Sequence, residues 1–186
     1  MKIAVYSGSF NPLHIGHLAI MQYLTEEEDY DWVYLIVSPK NPIKESISAD
    51  SAPERYKAAV EAVIRHPELR VWVDDIELNM PPPQYTIRTL EALQEREPEN
   101  EFTLVIGADN LCGIRRWREY DRILSEFGVV VYPREGFDLE TITQELAEEG
   151  EGRYRIRIAN APTVDISSTE IRNGIAEGRD MSEFLM

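Results

Sequence analysis

The feature that most constrains this chain is an alternation of short apolar runs with longer amphipathic stretches. Residues 3–6, 32–37, 70–73, 102–106, 128–132 and 154–158 read as strands. Residues 15–24, 53–64, 87–96, 121–127, 139–149 and 168–176 carry helical spacing between them. Strand–helix alternation builds βαβ units and hence a parallel sheet. Runs as uniformly apolar as Leu104-Val105-Ile106 suit strands covered on both faces. The expectation is an α/β, doubly wound, Rossmann-like parallel sheet with helices on both faces. Its strand order would begin 3-2-1-4-5, putting the first and fourth strands side by side where the winding reverses. At 186 residues the chain is expected to be one domain, 1–186.

The first strand runs into Gly8-Ser9-Phe10-Asn11-Pro12-Leu13-His14-Ile15-Gly16-His17. This is neither a Gly-Lys-Ser/Thr phosphate loop nor the Gly-x-Gly-x-x-Gly dinucleotide turn. Gly8 and Gly16 would let the backbone approach a ligand closely. The following helix start offers N–H groups and partial positive charge to a phosphate. His14 and His17, three residues apart, would share a helix face and donate to the same anion. A zinc site is the competing reading of a His pair. His66, the remaining histidine, lies in another segment, so no metal site on the chain itself is expected.

A second constellation opens the last helix, Ile166-Ser167-Ser168-Thr169-Glu170-Ile171-Arg172. Ser167 with Glu170 fits a capping box. Ser168, Thr169 and Arg172 add hydroxyls and a guanidinium beside free N–H groups, a set suited to a triphosphate.

The net charge of −15 makes these local donors necessary. Such a surface repels nucleic acid and anionic membranes, and would repel ATP without placed cations. Neither a nucleic-acid partner nor a membrane is therefore expected. No apolar run approaches the ~20 residues of a membrane span. The N-terminal segment lacks the long apolar region of a secretion signal. The single cysteine, Cys112, supports no disulfide and is expected to be a packed small hydrophobe in a protein of the reducing cytoplasm.

Further segments narrow the function. Gly107-Ala108-Asp109 follows the fourth strand and would line the same crevice as residues 8–17, although Asp109 also reads as a helix N-cap. Pro39 to Lys44 brings two lysines to the end of the second strand. Tyr85-Thr86 opens the helix before the fourth strand, and Trp117 lies after Gly107-Ala108-Asp109. An aromatic ring can stack on a pyridine, and helix-start N–H groups can hold its carboxylate. A buried core position is the competing reading of Trp117.

On these residues the chain resembles the nucleotidylyltransferase superfamily, with its His-x-Gly-His and Ile-Ser-Ser-Thr-x-Ile-Arg signatures. Class I aminoacyl-tRNA synthetases share the first motif, but their Lys-Met-Ser-Lys-Ser loop is absent here. Within the superfamily the chain is most similar to the bacterial nicotinate mononucleotide adenylyltransferases, from residue 3 to about residue 184. The resemblance implies adenylyl transfer from ATP to nicotinate mononucleotide, with Mg²⁺, giving deamido-NAD and pyrophosphate in NAD biosynthesis. It implies His14, His17 and Arg172 as catalytic residues. Gly8, Ser9, Phe10, Gly16, Gly107, Asp109, Ser168 and Thr169 join them around ATP, and Mg²⁺ is bridged by the ATP phosphates. Asn11, Lys44, Tyr85, Thr86 and Trp117 fall to the acceptor. Asn11 stands where many relatives carry Asp. The family continues with a short C-terminal helix, whereas this chain stops at Phe184-Leu185-Met186, so a shortened C-terminal helix is expected. A homo-oligomer is compatible with the resemblance. The competing functions are transfer to nicotinamide mononucleotide, phosphopantetheine or glycerol phosphate, and a nucleotide-binding module without activity.

Overall fold

The computed structural model describes residues 1–39 and 51–186. Its strands are β1 (Lys2–Gly8), β2 (Trp32–Val37), β3 (Val71–Asp74), β4 (Glu101–Gly107), β5 (Val129–Tyr132) and β6 (Ile156–Ile158). They form a single six-stranded sheet in the order β3-β2-β1-β4-β5-β6. Every pairing is parallel. The helices are α1 (Ile15–Glu26), α2 (Ala52–Ile64), α3 (Thr86–Arg96), α4 (Ala108–Cys112), α5 (Tyr120–Arg122), α6 (Leu139–Gly150) and α7 (Ser168–Ala176). The order reverses between β1 and β4, and their carboxyl ends open side by side as expected.

Side chains alternate across each strand, so the central strands feed two cores. Ile3, Val5, Leu104 and Ile106 face one layer, packed against Ile87, Leu90 and Leu93 of α3 and Leu146 of α6. Ala4, Tyr6, Leu35 and Val37 face the other, against Met21 and Leu24 of α1 and Ala59 and Ala62 of α2. The three-residue spacing of Ile87, Leu90 and Leu93 gives α3 one apolar stripe, and that stripe fixes which way Thr86 points at the helix start. At the far end of α3, Arg96 holds the buried Asp74 with two hydrogen bonds of 2.6 and 3.2 Å, tying the helix to β3.

Some boundaries differ from the sequence reading. Residues 121–127 are not one α-helix: α5 is a single turn that widens into a π-helical turn, Ile123–Phe127. Gly128, at φ 82°, ends it with an N–H bond of 2.8 Å to the Ile123 carbonyl. The wider turn still buries Ile123, Leu124 and Phe127, which is why the apolar spacing looked helical. Cys112 is exposed at the end of α4 and is no part of the core. Among the described residues, no helix is long and apolar enough to cross a membrane.

Leu90 is fully buried in the α3 stripe. Leu90→Ala is expected to cost ~2–5 kcal/mol, through lost burial plus the cavity left behind. Urea unfolding followed by circular dichroism checks this, with the midpoint moving to lower urea.

Candidate functional site

The β1–α1 loop is the first wall of the crevice. His14 is the N-cap of α1, not a residue of its face. Its Nδ1 accepts from the Gly16 N–H at 3.0 Å, while the His14 N–H donates to Nδ1 of His17 at 3.1 Å. The two histidines thus form a reciprocal capping box, with imidazoles in the places usually held by Ser and Glu. The rings stack with centroids 3.7 Å apart. Because both Nδ1 atoms accept, both rings carry their proton on Nε2. Burial pulls the His14 imidazole down to about 4. Burial, then repulsion from His14, pulls His17 to about 3. Near neutral pH both are uncharged donors.

The glycines serve these rings as much as any ligand. A Cβ on Gly16 would lie 2.8 Å from Cε1 of His14. A Cβ on Gly8 would lie 3.1 Å from the Phe10 ring. Phe10 sits at φ 48°, a left-handed backbone that turns its side chain inward. There it meets Tyr6 edge-on at 5.3 Å and His17 at 5.1 Å, supporting the His17 ring from below. Phe10 therefore has only its backbone to offer a nucleotide. Ser9 is exposed at the loop's outer side, and Asn11 is buried.

The second wall is α7, and it is joined directly to the first. Arg172 donates from Nη1 to the Asn11 carbonyl at 2.6 Å and from Nη2 to Thr169 Oγ1 at 3.3 Å. Ser168 Oγ donates to the Pro12 carbonyl at 2.9 Å. Ser167 caps α7 by accepting from the Glu170 N–H at 3.1 Å. The full capping box does not form, because the Glu170 carboxylate takes the Ser167 hydroxyl instead, at 3.0 Å. The two motifs read separately in the sequence are one structure.

Gly107 and Asp109 form the floor beyond β4. Gly107, not Asp109, is the N-cap of α4. Asp109 lies in the first turn, where Arg134 reaches its Oδ2 at 3.1 Å. Its Oδ1 is buried without a hydrogen-bond partner. A Cβ on Gly107 would come within 2.6 Å of that oxygen.

Tyr85, Thr86 and Trp117 meet, as expected, across a cleft of about 530 Å³ that Gln84, Arg116 and Arg118 complete. Thr86 begins α3, so its N–H is at the helix start. Trp117 packs partly on the core and also lines the cleft. Lys44, with Lys40, lies outside the described residues. Among the described residues, no group of three His, Cys, Asp or Glu could hold a metal ion.

Two positioning groups escaped the sequence reading. Arg55 of α2 is 1% exposed and donates to the Ser9 carbonyl at 2.6 Å and the Ser38 carbonyl at 2.8 Å. Its signal was its place on the buried stripe with Ala59 and Ala62. Glu77, also buried, accepts from Ser7 Oγ at 3.1 Å and Ser38 Oγ at 3.2 Å, holding the ends of β1 and β2 together. Burial holds its carboxyl above the usual range.

Gly16→Ala is expected to leave the fold intact yet push the His14 ring out of place. A displacement of about 1 Å costs on the order of 10²-fold in kcat, measured against unchanged thermal unfolding. The histidines also set a pH dependence. Their folded pKa values lie below the unfolded value of about 6.5. The unfolded chain therefore binds more protons, and their stabilising contribution is complete above pH 6.5 and is lost as the pH falls toward 4. Thermal unfolding from pH 7 to 4 should show Tm falling less steeply in a His14→Gln, His17→Gln double variant than in the parent.

Comparison with known proteins places this geometry. The sequence profile described as cytidylyltransferase-like matches residues 5–174. A Bacteroides fragilis protein named probable nicotinate-nucleotide adenylyltransferase is 41% identical, over 99% of this chain and 87% of its own. A Flavobacterium johnsoniae protein of the same name is 37% identical, over 100% and 92%. The structure titled Plasmodium falciparum nicotinic acid mononucleotide adenylyltransferase complexed with NaAD superposes with a TM-score of 0.78. Its identity is 18%, over 98% of this chain and 87% of that one, a likeness of fold. With the paired imidazoles, the α7 clamp and the parallel sheet all in place, the chain belongs to the cytidylyltransferase-like family, in its nicotinate-nucleotide adenylyltransferase branch.

Proposed function

We propose that this protein transfers the adenylyl group of ATP to nicotinate mononucleotide, releasing pyrophosphate and forming deamido-NAD for NAD biosynthesis. The observation that carries the reading is the junction of the two phosphate motifs: Arg172 on the Asn11 carbonyl and Ser168 on the Pro12 carbonyl. That junction stands at the carboxyl edge of β1 and β4, with the aromatic cleft opening at the start of α3. The relatives named nicotinate-nucleotide adenylyltransferase support the choice of acceptor.

The chemistry needs little from the chain beyond placement. A phosphate oxygen of the acceptor attacks the α-phosphorus of ATP. One P–O bond forms, the α–β bridge breaks, and the electron pair leaves with pyrophosphate. The acceptor phosphate is already an anion, so no general base is required. In this reading the Nε2–H groups of His14 and His17 donate to phosphoryl oxygens as their charge changes. In the free protein these imidazoles are uncharged near neutral pH, so they meet ATP as directed hydrogen-bond donors. Arg172, with Ser168 and Thr169, holds the departing pyrophosphate. Gly8, Ser9, Gly107 and Asp109 border the adenosine. Tyr85, Thr86 and Trp117 hold the ring, and Asn11 borders the acceptor. Mg²⁺ enters as part of the substrate, MgATP, and would offset charge on its phosphates. We take residues 1–186 as one nucleotidylyltransferase domain working in the cytoplasm, and the reading holds for a monomer or a homo-oligomer.

Pyrophosphate release with MgATP tests it, offering nicotinate mononucleotide, nicotinamide mononucleotide and phosphopantetheine in parallel. Release with nicotinate mononucleotide well above the others is expected. Release with only another acceptor would keep the chemistry and overturn the substrate. ATP binding with no release from any acceptor would make the protein a nucleotide-binding module.

A further inference from the structure

The cleft beside Trp117 departs from the rest of the surface in charge. Asp and Glu supply 34 of the 186 residues, yet none of the six residues lining the cleft is acidic. Two of the six, Arg116 and Arg118, are exposed cations on either side of Trp117. Their neighbour Arg115 is spent on α6, with Glu149 at 3.0 Å and Glu145 at 3.4 Å. Arg122 is likewise taken up by Glu91, Glu119 and Glu126. Among the described residues, neither Arg116 nor Arg118 meets a carboxylate. Arg118 instead lies over the Tyr85 ring, 5.1 Å from its centroid, which orients the guanidinium at the cleft wall without neutralising it. The first turn of α3, which opens into the same cleft, is also free of acidic residues.

Two unneutralised guanidinium groups in a strongly acidic protein, next to an aromatic wall, constitute a receptor for a flat ring bearing a negative charge. Backbone N–H groups at the α3 start can bond a carboxylate oxygen or a carboxamide oxygen, so they separate the two poorly. A guanidinium separates them, because it donates to both oxygens of a carboxylate but meets the donor NH₂ of an amide. We propose that Arg118, supported by Arg116, is the specificity-determining residue that selects an anionic pyridine-3-carboxylate over the neutral carboxamide. This deepens the proposed function and rests on it.

The test uses the full chain, steady-state pyrophosphate release with MgATP, and the two mononucleotides separately. For Arg118→Gln, kcat/KM for nicotinate mononucleotide should fall roughly tenfold, the size expected when a charged hydrogen-bond partner is removed. The loss should appear mainly in KM. The value for nicotinamide mononucleotide and the KM for ATP should change less than about twofold, as expected when uncharged contacts are untouched. The Arg116→Gln, Arg118→Gln double variant should abolish the preference, and Arg118→Lys, which keeps the charge but loses the two-point fork, should fall between the parent and Arg118→Gln. Both side chains are exposed, so the variants should fold. Equal losses for the two acceptors would overturn the inference, since they would put Arg118 on a group common to both, such as the phosphate. An unchanged ratio would overturn it as well. A wild-type protein that uses neither mononucleotide would overturn the substrate reading and this inference with it, a result distinct from a wild type that discriminates and an Arg118→Gln that still does.

Discussion

The crevice depends on how the carbonyl oxygens of one short loop are satisfied. Between β1 and α1, the Ser9 carbonyl is taken by Arg55, the Pro12 carbonyl by Ser168 and the Asn11 carbonyl by Arg172. The donors come from two helices, Arg55 from α2 and Ser168 and Arg172 from α7. Left open, those oxygens would present partial negative charge to any phosphate entering the crevice. Engaging them with two guanidinium groups and a hydroxyl removes that repulsion and fixes the loop's path at once. With the path fixed, Phe10 can accept its left-handed backbone and support His17, and His14 can cap α1.

This arrangement explains how an acidic protein can hold a polyanion without a broad positive surface. Its positive groups are few and individually assigned. The imidazoles contribute directed N–H bonds, because burial keeps them uncharged near neutral pH. Arg172 supplies full charge at one end of the crevice, and Arg134 balances the single carboxylate of Asp109 at the other. Selectivity then follows from position and protonation state more than from net field.

Much of this was legible in the sequence, for physical reasons. Strands buried on both faces must be continuously apolar, so the parallel sheet could be read from its strands, while its reversal between β1 and β4 followed from the doubly wound order taken for it. The two loop motifs stood out because glycine, paired histidines and Ser-Ser-Thr-x-Ile-Arg are unusual at helix starts, and the structure joins them. What stayed hidden depends on contacts distant in the chain. Nothing local in Gly16 says that a histidine ring occupies the place of its Cβ. Arg55 reads as a surface residue of α2 until its stripe partners Ala59 and Ala62 are seen to be buried. The π-helical turn at Ile123–Phe127 keeps a helical apolar spacing, so periodicity could not separate it from an α-helix. Asp109 looked like a cap because capping is a local habit of aspartate, whereas its carboxylate is drawn to Arg134 across the crevice.

The bond between Arg172 and Asn11 spans 161 residues of sequence. A contact of that separation closes a very large loop, a cost shared with the parallel pairings that bring β1, β4, β5 and β6 together. During synthesis the β1–α1 loop emerges early but cannot be locked until α7 has been made. The crevice therefore gains its second wall only when nearly the whole chain is available.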